Sequence, residues 1–314
     1  MTVCIATICQ GGRYIVCATD GMLTDPSSGL SGDVGAVKMM VYGDWLFMFA
    51  GTLSNADLIM EELRLEAFTR TDLLDREKIQ SSVRQAYKKR FAKWSADRLL
   101  SPYDMEMGEF KSEGLSIFGD ERFGELSRAI EQDAALFNEQ MLVVGFGKSE
   151  LAAMIYEVCR DGVASHSLEG NTCIGSGSQA ASSTLYSLKC GRRSSLGDAL
   201  YATLAAKFSA ESSPGVGTDT VAVVMKKPLN SQDRGAFKII QSEEIEGMRL
   251  LWRRHGKPKV PKQAYPELDK ILIRIDAAGM DTMIRKINEA NATFSNEPEL
   301  PPEQSGGAAP QSDS

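Results

Sequence analysis

Two residues near the start of the chain, Thr2 and Asp20, have side chains that can carry out hydrolytic chemistry together. Met1 precedes a small residue, so we expect it to be removed and Thr2 to become the first residue. A threonine at a chain terminus has a hydroxyl nucleophile and an α-amine that can serve as its base. Asp20 ends a short apolar segment and can lie beside that terminus. These residues predict a catalytic arrangement centred on Thr2.

A β-hairpin predicted for the first 21 residues would bring Thr2 and Asp20 together. Two apolar segments rich in β-branched residues, 1–9 and 14–21, flank a turn formed by Gly11 and Gly12. This pattern is typical of two antiparallel strands joined by a tight turn. We therefore expect the first residues to lie within a sheet.

The composition predicts a cytoplasmic protein with one large domain, or one domain with an appendage. The chain has 314 residues, 43% of them hydrophobic, and its net charge of −7 provides no basic field for nucleic acid. No apolar segment reaches the ~18 residues that a membrane helix needs, and no secretory signal pattern is present. The six cysteines include no Cys-x-x-Cys pair and predict buried, reduced thiols. No metal or cofactor is implied.

Segments predicted as strands and helices alternate along the chain. Strands are predicted at 36–42, 45–51, 140–147, 152–158, 163–168, 219–225 and 236–240. Helices are predicted from Ser54, from Asp75 to about Trp94, and over 122–138, 173–185 and 195–210. Segments 24–35 and 101–119 are expected to be irregular. Because hairpin connections dominate, the pattern predicts an α+β fold with mostly antiparallel sheets and helix pairs outside them.

The chain is expected to divide into three regions. They are a catalytic domain over 2–241, an α-helical extension over 242–294 and a disordered tail over 295–314 that is rich in Pro, Gly, Ser and Glu. Helices are expected at 242–255 and around 280–290 in the extension. An apolar stripe from Ile79 to Trp94 would be partly exposed in a lone subunit, which predicts a homo-oligomer.

Four motifs, taken in order, resemble those of the proteasome β-subunit family of N-terminal-nucleophile hydrolases. They are Thr-x-x-Ile-Ala at 2–6, Ala-Thr-Asp-Gly at 18–21, Val-Lys-Met at 37–39 leading to Phe-Ala-Gly-Thr at 49–52, and Ile-Gly-Ser-Gly-Ser at 174–178. The chain is similar above all to bacterial members that mature by loss of the initiator Met alone. Over residues 2–240, the resemblance implies a four-layer αββα sandwich, threonine peptidase activity, a peptide or protein substrate and a homo-oligomer.

The resemblance implies a role for each matching residue. Thr2 matches the nucleophile, Asp20 the aspartate that ends the second strand, and Lys38 the lysine beside it. A lysine ammonium close to Thr2 favours the deprotonated forms of its amine and hydroxyl, and Asp20 would orient that lysine. Gly51 matches the glycine whose backbone N–H stabilises a tetrahedral oxyanion, and Ser176 the serine that hydrogen-bonds near the terminal amine.

The motifs also indicate a substrate pocket, but they depart from the family's pattern in the last part of the site. Phe49 and Leu53 match the flanks of the substrate pocket, which implies an apolar first pocket. The family has an Asp and Ser pair after its last helix, whereas here no Asp-x-x-Ser precedes the glycines of 211–219 and Pro214 intrudes. Glu211, Ser213 or Asp219 can substitute, and the sequence leaves open which of them supports the amine of Thr2.

Two other functions remain open at this point. The same fold can serve as a catalytically silent structural or interaction protein, as retention of Met1 would indicate. Residues 175–180 also match Gly-x-Gly-x-x-Ala between a strand and a helix, as in dinucleotide-binding proteins. The strand and acidic residue that should follow about 20 residues later are absent, because a second helix follows instead. We therefore favour the threonine-nucleophile amidohydrolase.

Overall fold

Twelve strands and six α-helices are present in the part of the chain that the computed structural model describes, namely residues 2–24, 31–33, 38–42, 45–68, 76–147, 152–228 and 236–256. The strands are β1 (Cys4–Cys9), β2 (Tyr14–Asp20), β3 (Met22–Thr24), β4 (Ser31–Asp33), β5 (Met39–Tyr42), β6 (Trp45–Ala50), β7 (Gln140–Phe146), β8 (Ala153–Cys159), β9 (Gly162–Ser165), β10 (Asn171–Ile174), β11 (Thr220–Lys226) and β12 (Ala236–Ile239). The helices are α1 (Leu53–Phe68), α2 (Arg76–Leu99), α3 (Met107–Leu136), α4 (Ser178–Ser187), α5 (Leu196–Ala210) and α6 (Ser242–Leu251). The helix predicted around 280–290 and the predicted tail lie outside the described residues.

Two five-stranded antiparallel sheets form the centre of the fold. The first has the strand order β10-β1-β2-β11-β12 and the second the order β5-β6-β7-β8-β9, while β3 and β4 pair separately. Side chains from both sheets, among them Ile8, Ile15, Leu142 and Ile155, meet in one apolar core. The two sheets therefore pack face to face, and the mixed α/β class with antiparallel sheets agrees with the sequence prediction.

Helices cover the outer face of each sheet. Ile59 of α1 and Val83 of α2 pack against Phe47 and Val143 of the second sheet. Val3 and Ile5, at the start of the first sheet, pack beneath α4 and α5. Since alternate residues of β1 face the helices and the other sheet, both faces of this strand are apolar. This explains why the first segment is apolar without interruption.

The first hairpin places the start of the chain beside Asp20. A single 3₁₀ turn, Gln10–Gly12, joins β1 and β2, and φ is 68° at Gly11 and 93° at Gly12. These angles favour glycine, which has no Cβ to clash. Cys4 lies opposite Thr19, so the residues before Cys4 continue alongside the end of β2. The predicted hairpin is therefore confirmed, together with its turn.

The segment 101–119 is not irregular as predicted, because α3 begins at Met107. Met107 and Phe110 are buried in a small core with Leu100, so packing against the end of α2 stabilises this part of the helix. Gly119, with a φ of 71°, interrupts the helix before it continues to Leu136. That break, and the many exposed positions around it, hide the helical period in the sequence.

Three shorter predictions also need correction. The strand predicted at 163–168 is β9 and ends at Ser165, and the predicted loop 24–35 contains β4, which pairs with β3. Cys173 and Ile174 belong to β10 rather than to the start of a helix. They extend because the backbone of β10 pairs with β1, where Ile174 lies opposite Cys4. Only for β10 does the pairing partner lie far away in the sequence, because β9 pairs with the preceding β8 and β4 with the nearby β3.

The apolar stripe of α2 is covered by the chain itself. Ile79, Val83 and Tyr87 are 1–4% exposed and lie in the core beneath the second sheet, with Phe91 and Trp94 packed against it. The stripe therefore gives no support to the predicted homo-oligomer, which stays a prediction. No helix in the described part of the chain has the length and apolar character that crossing a bilayer requires.

Candidate active site

The side chains of Thr2, Asp20 and Lys38, here called the Thr2 cluster, meet in the interior of the protein. Thr2 lies two residues before β1, Asp20 ends β2 and Lys38 directly precedes β5, and the three are 2%, 0% and 3% exposed. The Lys38 ammonium donates to Thr2 Oγ1 at 2.7 Å and to Asp20 Oδ2 at 3.1 Å. The Thr2 hydroxyl donates to Asp20 Oδ1. Three residues that the sequence singled out are thus in direct contact.

Asp20 receives hydrogen bonds from at least four groups, which come from three separate parts of the chain. Besides the Thr2 hydroxyl, Oδ1 accepts the backbone N–H of Val3 at 2.9 Å. Besides the Lys38 ammonium, Oδ2 accepts the backbone N–H of Gly217 at 3.3 Å. Without this carboxylate, several buried donors would lose a partner, which is costly in an apolar interior. Asp20 therefore sets the orientation of both other members of the cluster.

The geometry of the Thr2 oxygen suits nucleophilic chemistry. Because its hydroxyl donates to a carboxylate and accepts from an ammonium, the side chain is held in one orientation. An ammonium 2.7 Å away stabilises the negative charge that develops on this oxygen when it attacks an electrophilic carbon. The cluster is therefore equipped for attack on a carbonyl group.

The backbone of Thr2 is held by the turn between β10 and α4. The Thr2 N–H donates to Ser176 Oγ at 3.2 Å, and the Gly177 N–H donates to the Thr2 carbonyl at 3.2 Å. Gly175 has a φ of 90°, and a Cβ there would collide with the Thr2 carbonyl. The space around this glycine-rich turn is thus filled by the chain's own start. That is evidence against the dinucleotide-binding interpretation of residues 175–180.

Gly51 directly follows the last residue of β6. Its φ is 131°, and a Cβ there would collide with the carboxylate of Glu139. Cys4 Sγ donates to the Phe49 carbonyl at 3.3 Å, which ties the start of β1 to the end of β6. The contacts of Gly51 described here are with Glu139, and its predicted role toward an oxyanion stays a prediction.

Glu139 is a buried carboxylate beside the site that sequence reasoning missed. It accepts the backbone N–H of Thr52 at 2.8 Å and the side-chain amide of Asn55 at 2.8 Å. Burial raises the pKa of the Glu139 carboxyl, although the hydrogen bonds from Asn55 and Thr52 oppose the shift. An acidic residue just before an apolar strand looks solvent-exposed in sequence, and only the contact with the start of α1 shows otherwise.

Phe49, one of the two predicted pocket residues, lies on the helix side of β6. Phe49 is 4% exposed and packs in the core with α1 and α2. The side chain of Leu53 lies outside the described residues. The assignment of both residues to a substrate pocket therefore stays a prediction.

The three candidates to support the Thr2 amine have other described contacts. The Glu211 carboxylate accepts from Lys207 Nζ at 2.7 Å and from Arg249 Nη1 at 2.6 Å. The Ser213 N–H donates to the Ala210 carbonyl at 2.9 Å, and the Asp219 carbonyl accepts from Gly21 at 3.3 Å. Ser176 Oγ, which contacts the Thr2 nitrogen, lies 3.4 Å from the Pro214 carbonyl instead. Pro214 thus provides a backbone acceptor for the hydroxyl that contacts the Thr2 nitrogen.

Comparison with known proteins gives a structural likeness only. No protein-family model matches the chain, and no curated protein matches its sequence. The structure is similar to a solved structure of a Gly-1 mutant of Anbu from Hyphomicrobium sp. strain MC1, with a TM-score of 0.53 and 13% sequence identity. The match covers 83% of this chain and 100% of that one. The likeness shows that the chain has a fold similar to that of a proteasome-related protein.

Proposed function

We propose that the protein is a threonine-nucleophile amidohydrolase that cleaves peptide bonds, and that the active chain begins at Thr2 after removal of Met1. The observation that carries the proposal is the buried contact of the Thr2 hydroxyl with the Lys38 ammonium and the Asp20 carboxyl group. The likeness in fold to Anbu supports it, and the proposal includes the four-layer αββα arrangement. Helices on the outer faces of two packed sheets agree with that arrangement.

In the proposed reaction, Thr2 Oγ1 attacks the carbonyl carbon of the scissile amide while its proton passes to the α-amine of the same residue. Lys38 stabilises the charge on the attacking oxygen, and the Gly51 N–H stabilises the oxyanion of the tetrahedral intermediate. Collapse of the intermediate breaks the C–N bond, and the α-amine gives its proton to the leaving amine. Water then hydrolyses the ester on Thr2, with the α-amine as base.

Ser176 has a supporting role in this proposal. Its hydroxyl lies 3.2 Å from the Thr2 nitrogen and is close to the carbonyls of Thr2 and Pro214. Once Met1 is removed, the Thr2 nitrogen becomes the α-amine. A hydrogen bond with Ser176 can then keep the lone pair of this amine directed toward the Thr2 hydroxyl. At the place where the family has its Asp and Ser pair, the Pro214 carbonyl contacts the Ser176 hydroxyl.

A catalytically silent protein on the same fold is the second candidate. The observation that favours it is the departure at 211–219, where Glu211 is bound by two cations. If Met1 is retained, the Thr2 nitrogen is an amide and cannot act as a base. The mass of the intact protein therefore distinguishes the two candidates.

The proposal is tested by mass spectrometry of the purified protein before and after treatment with a peptide epoxyketone. We expect a chain that lacks Met1 and gains one inhibitor mass, because the reagent needs a hydroxyl and an amine on one residue. Thr2→Ala should gain no mass and hydrolyse no fluorogenic peptide, whereas Thr184→Ala on α4 should behave like the parent. Hydrolysis by Thr2→Ala at the parent rate, or active protein that retains Met1, would overturn the proposal.

A further inference from the structure

Two buried cations hold the loop that precedes β11. Lys207 on α5 is 0% exposed and Arg249 on α6 is 3% exposed. Lys207 Nζ donates to the carbonyls of Gly217 at 2.6 Å and Thr218 at 3.2 Å, and Arg249 Nη2 donates to the Thr218 carbonyl at 2.6 Å. We call Lys207 and Arg249 the cation pair. Together they fix the carbonyl side of this loop.

The amide side of the same loop faces the Thr2 cluster. The Gly217 N–H donates to Asp20 Oδ2 at 3.3 Å, and Thr220, three residues later, lies opposite Asp20 in the first sheet. The Gly21 N–H also donates to the carbonyl of Asp219 at 3.3 Å. A displacement of residues 217–218 toward or away from the cation pair would therefore move the Gly217 N–H, which donates a hydrogen bond to Asp20.

The two carboxylates that pair with these cations are both less buried than the cations themselves. Both cations bind Glu211, while Glu246, the other partner of Arg249, has a side chain that is 59% exposed. Burial lowers the pKa of the Lys207 ammonium, and the carboxylate of Glu211 opposes the shift. The guanidinium also lies 4.4 Å from the centre of the Phe208 ring. The two cations thus lie on the carbonyl side of the loop and share the carboxylate of Glu211.

We propose that Lys207 and Arg249 are positioning residues for the Thr2 cluster, which they influence by holding Gly217 against Asp20. The idea rests on the proposed function. It also makes α6, which follows the predicted catalytic domain, a part of the site. The pair binds the carbonyls of Gly217 and Thr218, in the same segment whose N–H reaches Asp20.

The first test is hydrogen exchange of the backbone amides at 216–219, which does not depend on catalysis. In Lys207→Met and Arg249→Met, exchange at these amides should become at least about tenfold faster, because the loop loses a donor that holds its carbonyl side. Arg98→Met is the matched control, because Arg98 pairs with Asp133 at 3.0 Å and lies 4.9 Å from the Trp94 ring, far along the chain from this loop. It should leave exchange at 216–219 unchanged.

The second test is the hydrolysis of a fluorogenic peptide. We expect kcat to fall in both Met variants with KM unchanged, and Arg249→Lys, which keeps a cation, to recover part of kcat. Unchanged exchange at 216–219 in Arg249→Met would overturn the proposal, as would a parent-like kcat in a folded variant. If Lys207→Met does not fold, Arg249→Met alone tests the proposal. We expect that variant to fold because Glu211 still has Lys207 as a partner. A parent without hydrolytic activity would overturn the proposed function, while the exchange measurement still tests whether the cation pair holds Gly217.

Discussion

At the scale of single residues, the Thr2 hydroxyl lies between a cation and a carboxylate in the interior. Asp20 ends β2 and Lys38 directly precedes β5, and each binds the other as well as the hydroxyl. Such a closed set of contacts allows little rotation of any member, so the oxygen is oriented before a substrate arrives. Preorganisation of this kind is a major source of rate enhancement in enzymes.

Replacement of Lys38 by Ala should reduce kcat/KM for a fluorogenic peptide by roughly 100-fold or more, since the attacking oxygen loses the cation beside it. Lys38→Arg should not restore activity, because a planar guanidinium cannot occupy the buried site of an ammonium. Lys226→Ala, on the exposed end of β11, is the control and should retain parent activity. Equal rates for Lys38→Ala and the control would show that Lys38 has no catalytic role.

Replacement of Gly175 by Ala should destabilise the protein more than the same change at Gly119. Both glycines have positive φ, 90° and 71°, but only at Gly175 would a Cβ meet the Thr2 carbonyl, whereas nothing lies within 4 Å of one at Gly119. We expect a loss of about 1–2 kcal/mol in the free energy of unfolding at Gly119 from backbone strain alone. Urea unfolding of both variants gives the comparison, and equal losses would contradict the collision with Thr2.

At the scale of secondary-structure elements, the end of β6 and the start of α1 are joined by one carboxylate. Glu139, which directly precedes β7, binds Thr52 and Asn55 and fills the space beneath Gly51. Tyr87 of α2 donates to the carbonyl of the same residue at 2.9 Å. The proposed oxyanion donor is therefore supported by two helices as well as by its own strand.

The pH dependence of stability provides a test of the burial of Glu139. The pKa of Glu139 is raised in the folded protein from the ordinary value of 4.5. At pH values just above 4.5, the unfolded chain has therefore released the proton of this carboxyl, whereas the folded protein still holds it. The free energy of unfolding should therefore fall as the pH rises through this window. Glu139→Gln should lack this decrease, and Glu113→Gln on the exposed face of α3 should keep it. Parallel curves for the parent and Glu139→Gln in urea unfolding at several pH values would exclude the effect.

The parts of the fold that the sequence could predict are those determined by neighbouring residues. The hairpin of β1 and β2 follows from apolar segments around Gly11 and Gly12, and it places Thr2 near Asp20 without further information. Lys38 was found only through the resemblance, because a loop separates it from the hairpin. Glu139 and Lys207 look like ordinary solvated charges in sequence, since the residues that bury them are distant along the chain.

At the scale of the whole molecule, α6 shares an apolar core with α5 and the first sheet. Ile245 of α6 packs with Phe208 and Ala18, so the element after the predicted domain boundary contributes to the core of the first sheet.

The six cysteines are free thiols, four of them buried. Burial raises the pKa of Cys4 to about 12 and that of Cys9 to about 11.

The thiols should therefore report on global unfolding. Burial also raises the pKa of Cys17, Cys173 and Cys190, so five of the six cysteines should resist iodoacetamide at about pH 7.5 while the protein is folded. We expect at most one added group per folded chain and six in concentrated urea, counted by mass spectrometry. Rapid modification of several cysteines in the folded protein would contradict the packing of β1, β2 and β10.

Because β1 is paired on both of its edges, the number of residues between Thr2 and Cys4 decides which face of the sheet the Thr2 side chain is on. Cys4 is paired with Thr19 on one side and Ile174 on the other, so the strand cannot slide past its neighbours. Successive side chains of an extended chain point to opposite faces, and deletion of the single residue Val3 would turn Thr2 away from Asp20 and Lys38. Insertion of one residue at the same place would have the same effect. Insertion of two residues would return Thr2 to the correct face of the sheet, but too far from Asp20 and Lys38. Evolution can therefore alter the identity of the residues before Cys4 far more easily than their number.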